Sequence, residues 1–170
     1  IAIISSLSNS GLTLIKSNNL SLYFLFITII GGSLISNSNG VKFIRIYILF
    51  KSTILELFKL VTPNIIIDQK IFNSSNKINN ESLNLSFLIF ICFFISIFIL
   101  SSILSAGGLS FETSFKLSIL TITNTVNSSL YGLDEINFLN LLTSSKIAII
   151  LFMVLGKIEL LSFFLIINKT

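Results

Sequence analysis

Lys157 is the residue whose type and place most demand a chemical explanation. It interrupts an apolar stretch, residues 147–156 (IAIILFMVLG), that resumes over residues 160–167 (LLSFFLII). A helix rising about 1.5 Å per residue from Lys146 carries Lys157 roughly 16 Å inward, near the middle of a bilayer. An ammonium there is costly unless it faces a polar cavity or a partner, so it marks a functional site. Glu159 on the same helix is not that partner, because residues two apart point to different faces. Other chemistries are closed. The chain has no His and a single Cys, Cys92, inside the apolar residues 87–104. That excludes imidazole and thiolate metal sites, a Ser-His triad and a disulfide framework. The absence of an acidic pair at depth further disfavours an intramembrane enzyme.

The composition sets the class. Of 170 residues, 53% are hydrophobic and 11% charged, with a mean hydropathy of +0.97. Soluble domains carry about 25% charged residues, so most of this chain faces something other than water. An all-α integral membrane protein is expected, with the lipid bilayer as its main partner. The net charge of +4 is better explained by membrane topology than by nucleic acid. The chain begins at Ile1 without a basic segment and cleavage site, and it reads as a fragment of a longer protein.

Charge-free stretches locate the elements that must position Lys157. Residues 20–30 (LSLYFLFITII) are too short to cross and run into the Gly/Ser/Asn segment 31–40; residues 41–60 then carry Lys42, Arg45, Ser52, Glu56 and Lys59 on one helical stripe. This predicts one broken crossing, residues 20–62, with an intramembrane loop at 31–40. Irregular backbone at that depth must be buried in protein or line water. Pro63 ends the helix, and residues 63–85 read as a cytoplasmic connection. Residues 86–106 read as a full crossing, broken after Ala106 by Gly107 and Gly108.

Ser110 then caps a short helix over residues 111–123, with Glu112 at its positive end. Thirteen residues span about 20 Å, which reaches the bilayer interior without crossing it. The polar segment after it forces a turn, so residues 107–133 read as a pore helix and loop. Residues 134–145 read as an outer loop and residues 146–168 as the last crossing. Residues 1–19 repeat the end of the same pattern: Ser8, Asn9, Ser10, Gly11 and Leu12 follow an apolar stretch and precede Lys16. The chain therefore contains the end of one membrane–pore-loop–membrane repeat and the whole of the next. With the half-helix entering from outside, the inner parts hold seven basic residues (Lys42, Arg45, Lys51, Lys59, Lys70, Lys77, Lys169) and the outer parts three (Lys16, Lys116, Lys146), as the positive-inside rule requires. A half-helix in that sense points its carbonyl end at the membrane interior and favours a cation there. The loop carbonyls after it can replace an ion's hydration shell.

Gly31-Gly32 with Ser36 and Gly40, followed by Val41-Lys42-Phe43-Ile44-Arg45, resembles the glycine-rich loop and basic helix of the TrkH/KtrB potassium-uptake family. Residues 55–64 (LELFKLVTPN) are similar to the helix that follows there. Gly156-Lys157-Ile158-Glu159-Leu160 is similar to that family's Gly-Arg-hydrophobic-Glu-hydrophobic signature. The resemblance implies a third (partial) and fourth filter of a pore-forming subunit that moves K⁺ (or Na⁺) across the bacterial inner membrane. The ion-binding positions are then Asn9, Ser10, Gly11 and Leu12, and Asn124, Thr125, Val126, Asn127 and Ser128. Ser36, Asn37, Ser38, Asn39 and Gly40 form the gate, with Lys157 as an electrostatic barrier. Implied partners are a second copy of the chain in a homodimer and a cytosolic nucleotide-binding regulatory subunit of the TrkA/KtrA type. No cofactor is expected beyond the transported ion. Asn127 stands where the family favours a filter glycine, and Lys157 replaces the usual arginine, losing its planar fork. Asn127 motivates the alternative of a non-conducting structural or regulatory subunit with a decayed fourth filter.

Overall fold

The computed structural model of the chain describes residues 3–4, 21–31, 40–61, 80–125, 131, 133, 136 and 138–157. Its described helices are α1 (Ser21–Ile29), α2 (Phe43–Val61), α3 (Asn80–Ala106), α4 (Phe111–Ile122) and α5 (Thr143–Lys157), with one 3-10 turn at Phe138–Asn140 before α5. Two-residue strands β1 (Ile30–Gly31) and β2 (Val41–Lys42) lie between α1 and α2.

α3 is the element whose sequence most directly dictates its form. The most apolar 18 residues within Glu81–Ala106 have a mean hydropathy of 2.9, and 26 residues at about 1.5 Å each are long enough to span the hydrocarbon layer. Ile89, Phe93, Ile97, Leu100 and Leu104 are buried, a stripe at helical spacing. Phe87, Ile91, Phe94, Ile95 and Phe98 are exposed, which an apolar solvent tolerates. Ser86, Ser96 and Ser102 return their hydroxyls to the carbonyls four residues back, at 2.7 to 2.8 Å, so no hydroxyl on these turns faces lipid unpaired. The helix starts at Asn80, six residues before the expected crossing at 86. Glu81 in its first turn favours that earlier start by complementing the positive helix end.

Gly107 and Gly108 reverse the chain. Gly108 has φ 92°, a left-handed angle that glycine adopts without strain. A Cβ on Gly107 would collide with Ser145 Oγ, so this turn is also where the start of α5 packs. Ser110 then caps α4: its hydroxyl accepts the Thr113 N–H at 3.4 Å. α4 is 12 residues long, about 18 Å, and stops inside the fold. Leu117 to Ile122 are buried on every side, as a helix enclosed by neighbours must be. Those neighbours are α3, α5 and α1.

The segment between α1 and α2 returns beside its own start. β1 pairs with β2 in parallel, Ile30 opposite Val41 and Gly31 opposite Lys42. The two short strands therefore run in the same direction. Gly40, at φ 103°, supplies the left-handed angle that turns the chain into β2. α5 begins at Thr143, inside the segment expected as outer loop. Lys146 holds this start: its N–H reaches Leu142 O at 3.1 Å and its Nζ donates to Leu139 O at 2.9 Å.

Packing against α4 makes the two faces of α3 unequal. Leu104→Ala leaves a cavity at a fully buried position and is expected to cost about 2–5 kcal/mol. Ile99→Ala on the exposed face should stay within about 0.5 kcal/mol. Thermal unfolding of the two variants in one detergent measures the difference.

Candidate functional site

The site grows from the problem of ending α4. A helix leaves its last four carbonyls without intrahelical partners, and at membrane depth those groups must be satisfied or face an ion or water. Three residues after the helix do most of this. The Thr123 N–H donates to Ile119 O at 2.9 Å, the Asn124 N–H to Thr121 O at 3.1 Å and the Thr125 N–H to Leu120 O at 2.9 Å. Those last two bonds define a Schellman closure, with Asn124 in the left-handed position that is usually glycine. Asn124 has φ 53°, the one positive angle at a non-glycine among the described residues. Thr123 Oγ1 adds a bond to Ile119 O at 2.9 Å and meets Thr125 Oγ1 at 2.8 Å. Thr121, Thr123 and Thr125 are all buried, so the helix end is a small polar knot in apolar surroundings.

α5 closes on this knot through two contacts one turn apart. Asn124 Nδ2 donates to Met153 O at 2.9 Å. Three residues later a Cβ built on Gly156 would overlap the Ile122 carbonyl oxygen and lie 2.9 Å from its carbon. The Ile122 peptide therefore rests against bare backbone, a contact only glycine permits at this distance. Beside it lies a cavity of about 40 Å³ lined by Gly40, Val41, Arg45, Ile89, Phe93, Ile122, Leu155 and Gly156. It is large enough to hold water. The carbonyl end of α4, with about half a negative charge, reaches this cavity at Ile122. Among the described residues, Arg45 contributes the one ionic side chain of its lining.

At the other end of α4, Lys116 is 8% exposed and pairs with Glu112 one turn earlier, Nζ to Oε1 2.5 Å. The hydrogen bond and charge of Lys116 hold the Glu112 carboxyl below its usual range. Glu112 itself is exposed, in the first turn of the helix.

Of the residues singled out from the sequence, the structure brings Asn124, Thr125 and Gly40 to this junction. Lys157 ends α5 directly after Gly156, and its side chain lies outside the described residues. Asn9, Ser10, Gly11, Leu12, Ser36, Asn37, Ser38, Asn39, Val126, Asn127 and Ser128 also lie outside them. Four contributors were not singled out as site residues. In the sequence pattern Thr123 is the last residue of the short helix, Arg45 is part of a polar stripe, Gly156 belongs to a motif and Met153 lies in the apolar stretch 147–156. The run Thr-Asn-Thr straight after a buried apolar segment is the signal that marks a helix closed by its own side chains.

A short helix enclosed by its neighbours, one of them long and apolar enough to span a bilayer, fits the all-α integral membrane fold that the chain shares with a known structure. Its fold is that of part of a known transporter. The crystal structure of the potassium transporter TrkH from Vibrio parahaemolyticus matches it with a TM-score of 0.80 at 21% identity. The match covers 96% of this chain and 35% of that one, so the chain spans about a third of that transporter's length. No protein-family model matches the chain, and no curated protein matches it.

Two outcomes follow from this geometry. Gly156→Ala forces the backbone of α5 away from Ile122 and is expected to cost about 1–3 kcal/mol, as overpacking does, with a lowered unfolding midpoint in detergent. Because Glu112 titrates lower in the folded state, its pair with Lys116 contributes stability above the carboxyl's unfolded value and loses it as pH falls through the folded value. Thermal midpoints measured from pH 6 down through the ordinary value of 4.5 should fall less in Glu112→Gln than in the parent chain.

Proposed function

We propose that the chain is part of the pore-forming subunit of a Trk/Ktr-type uptake system, moving K⁺ across a bacterial inner membrane that it crosses several times. The observation that carries this reading is the buried carbonyl end of α4, closed by a left-handed Asn124, beside a cavity shared with Gly40 and Gly156. A helix end of this polarity favours a cation without carrying a full charge, and carbonyls in a shaped turn can replace its hydration shell. The fold likeness to a potassium transporter supports the same reading.

In it, residues 9–12 and 124–128 supply coordinating oxygens. Residues 36–40 form a movable constriction, and Lys157 adds a barrier that keeps the ion from resting too deeply. A homodimer with a cytosolic nucleotide-binding regulatory subunit completes the system. The rival is a non-conducting structural or regulatory subunit, motivated by Asn127 in the fourth loop. Asn124 weighs against that rival, because this chain already places asparagine at a left-handed position.

Uptake of K⁺ and Na⁺ by the full-length protein with its partner, in liposomes, tests the reading. K⁺ uptake above protein-free vesicles is expected, and Asn127→Gly should change flux or discrimination. A folded preparation that moves neither ion, or an Asn127→Gly variant indistinguishable in flux, binding and selectivity, would favour the non-conducting rival.

A further inference from the structure

We infer that the Asn124 carboxamide is a positioning group for ion discrimination, holding the α4 turn at a fixed place against α5. The inference rests on the conducting role proposed above and adds a part that backbone coordination does not supply. The closure of α4 asks only for a left-handed residue at position 124, which glycine provides at lower conformational cost than asparagine. The side chain is therefore explained by something other than the turn. It crosses 29 residues of sequence to donate to Met153 O at 2.9 Å. In a continuous helix that carbonyl is also the acceptor for the amide of Lys157, four residues on. The bond thus lands on the turn that ends in Lys157.

The second contact makes the first directional. Gly156 seats on the Ile122 peptide with no room for a side chain, which sets how closely the two elements approach. The Asn124 bond sets how far one can slide along the other. Together they fix the peptides from Ile122 to Thr125, of which Asn124 and Thr125 carry candidate ligand carbonyls, relative to α5. Whether an ion filter discriminates by cavity size or by the number and field of its dipoles, the oxygens must be held in place. Removing the tie leaves the Schellman bonds intact and loosens only their position.

The test uses full-length protein in liposomes, with K⁺ and Na⁺ as probes. Asn124→Gly keeps the left-handed backbone and deletes the donor. Asn124→Asp keeps the size but turns an acceptor toward Met153 O. In both variants K⁺/Na⁺ discrimination is expected to fall roughly tenfold, the scale of one net hydrogen bond. Hydrogen exchange over residues 150–157 should rise in both. Discrimination equal to the parent in both variants overturns the inference, as does unchanged exchange over that segment. A parent protein that moves neither ion overturns the transport reading and the discrimination role with it, whereas faster exchange in Asn124→Gly upholds the tie independently.

Discussion

Backbone polarity at membrane depth is the constraint from which this structure follows. Each unpaired N–H or C=O in hydrocarbon costs several kcal/mol, so a helix that stops part-way across must satisfy its end within the protein. α4 stops after Ile122 and meets that demand with three consecutive backbone donors and one threonine hydroxyl. No lipid-facing solution exists for such an end, which is why α4 is buried on all sides from Lys116 to Ile122 and why α3, α5 and α1 gather round it. The arrangement of the surrounding helices is thus tied to the one that ends within the fold.

Between helices in lipid, little hydrophobic force remains, and association relies on close packing and polar ties. The contacts at the α4 end have that character. Gly156 allows backbone against backbone, Gly107 lets the start of α5 sit in the turn before α4, and Asn124 adds one polar bond across. The same logic accounts for Lys116. A lysine 8% exposed is tolerable because Glu112 lies on its own helix, four residues earlier, where the pair also complements the positive helix end.

What the sequence made legible were the features with local causes. Ser110 before a run opening with Glu112 marks a helix start, Gly107-Gly108 marks a turn, and residues 87–104 have no other use than a crossing. The extra turns were harder to read. The polar residues 80–85 lack an apolar signal, and only the Glu81 charge at the helix end argues for their inclusion in α3. The end of α4 was placed one residue late because Thr123 is compatible with a helix; its role emerges from a hydroxyl that bonds Ile119 O and meets Thr125. Long-range partners left no trace in the pattern. That Asn124 reaches Met153, or that Arg45 shares a cavity with Ile122 and Gly156, depends on how the helices cross. A polar stripe from Lys42 to Lys59 reads the same whether its first turn faces solvent or a cavity.

Arg45 gives that cavity an electrostatic balance that neither sequence segment carries alone. The α4 terminus contributes about half a negative charge and, unopposed in a weakly polarisable pocket, would hold a cation tightly. Permeation requires the opposite compromise, attraction strong enough to admit an ion and weak enough to release it. In the transport role proposed above, a cationic residue in the cavity lining has the sign that opposes the helix-end potential. Gly40, with its left-handed backbone, borders the same cavity, so the segment between α1 and α2 meets the α4 end and α5 at one place.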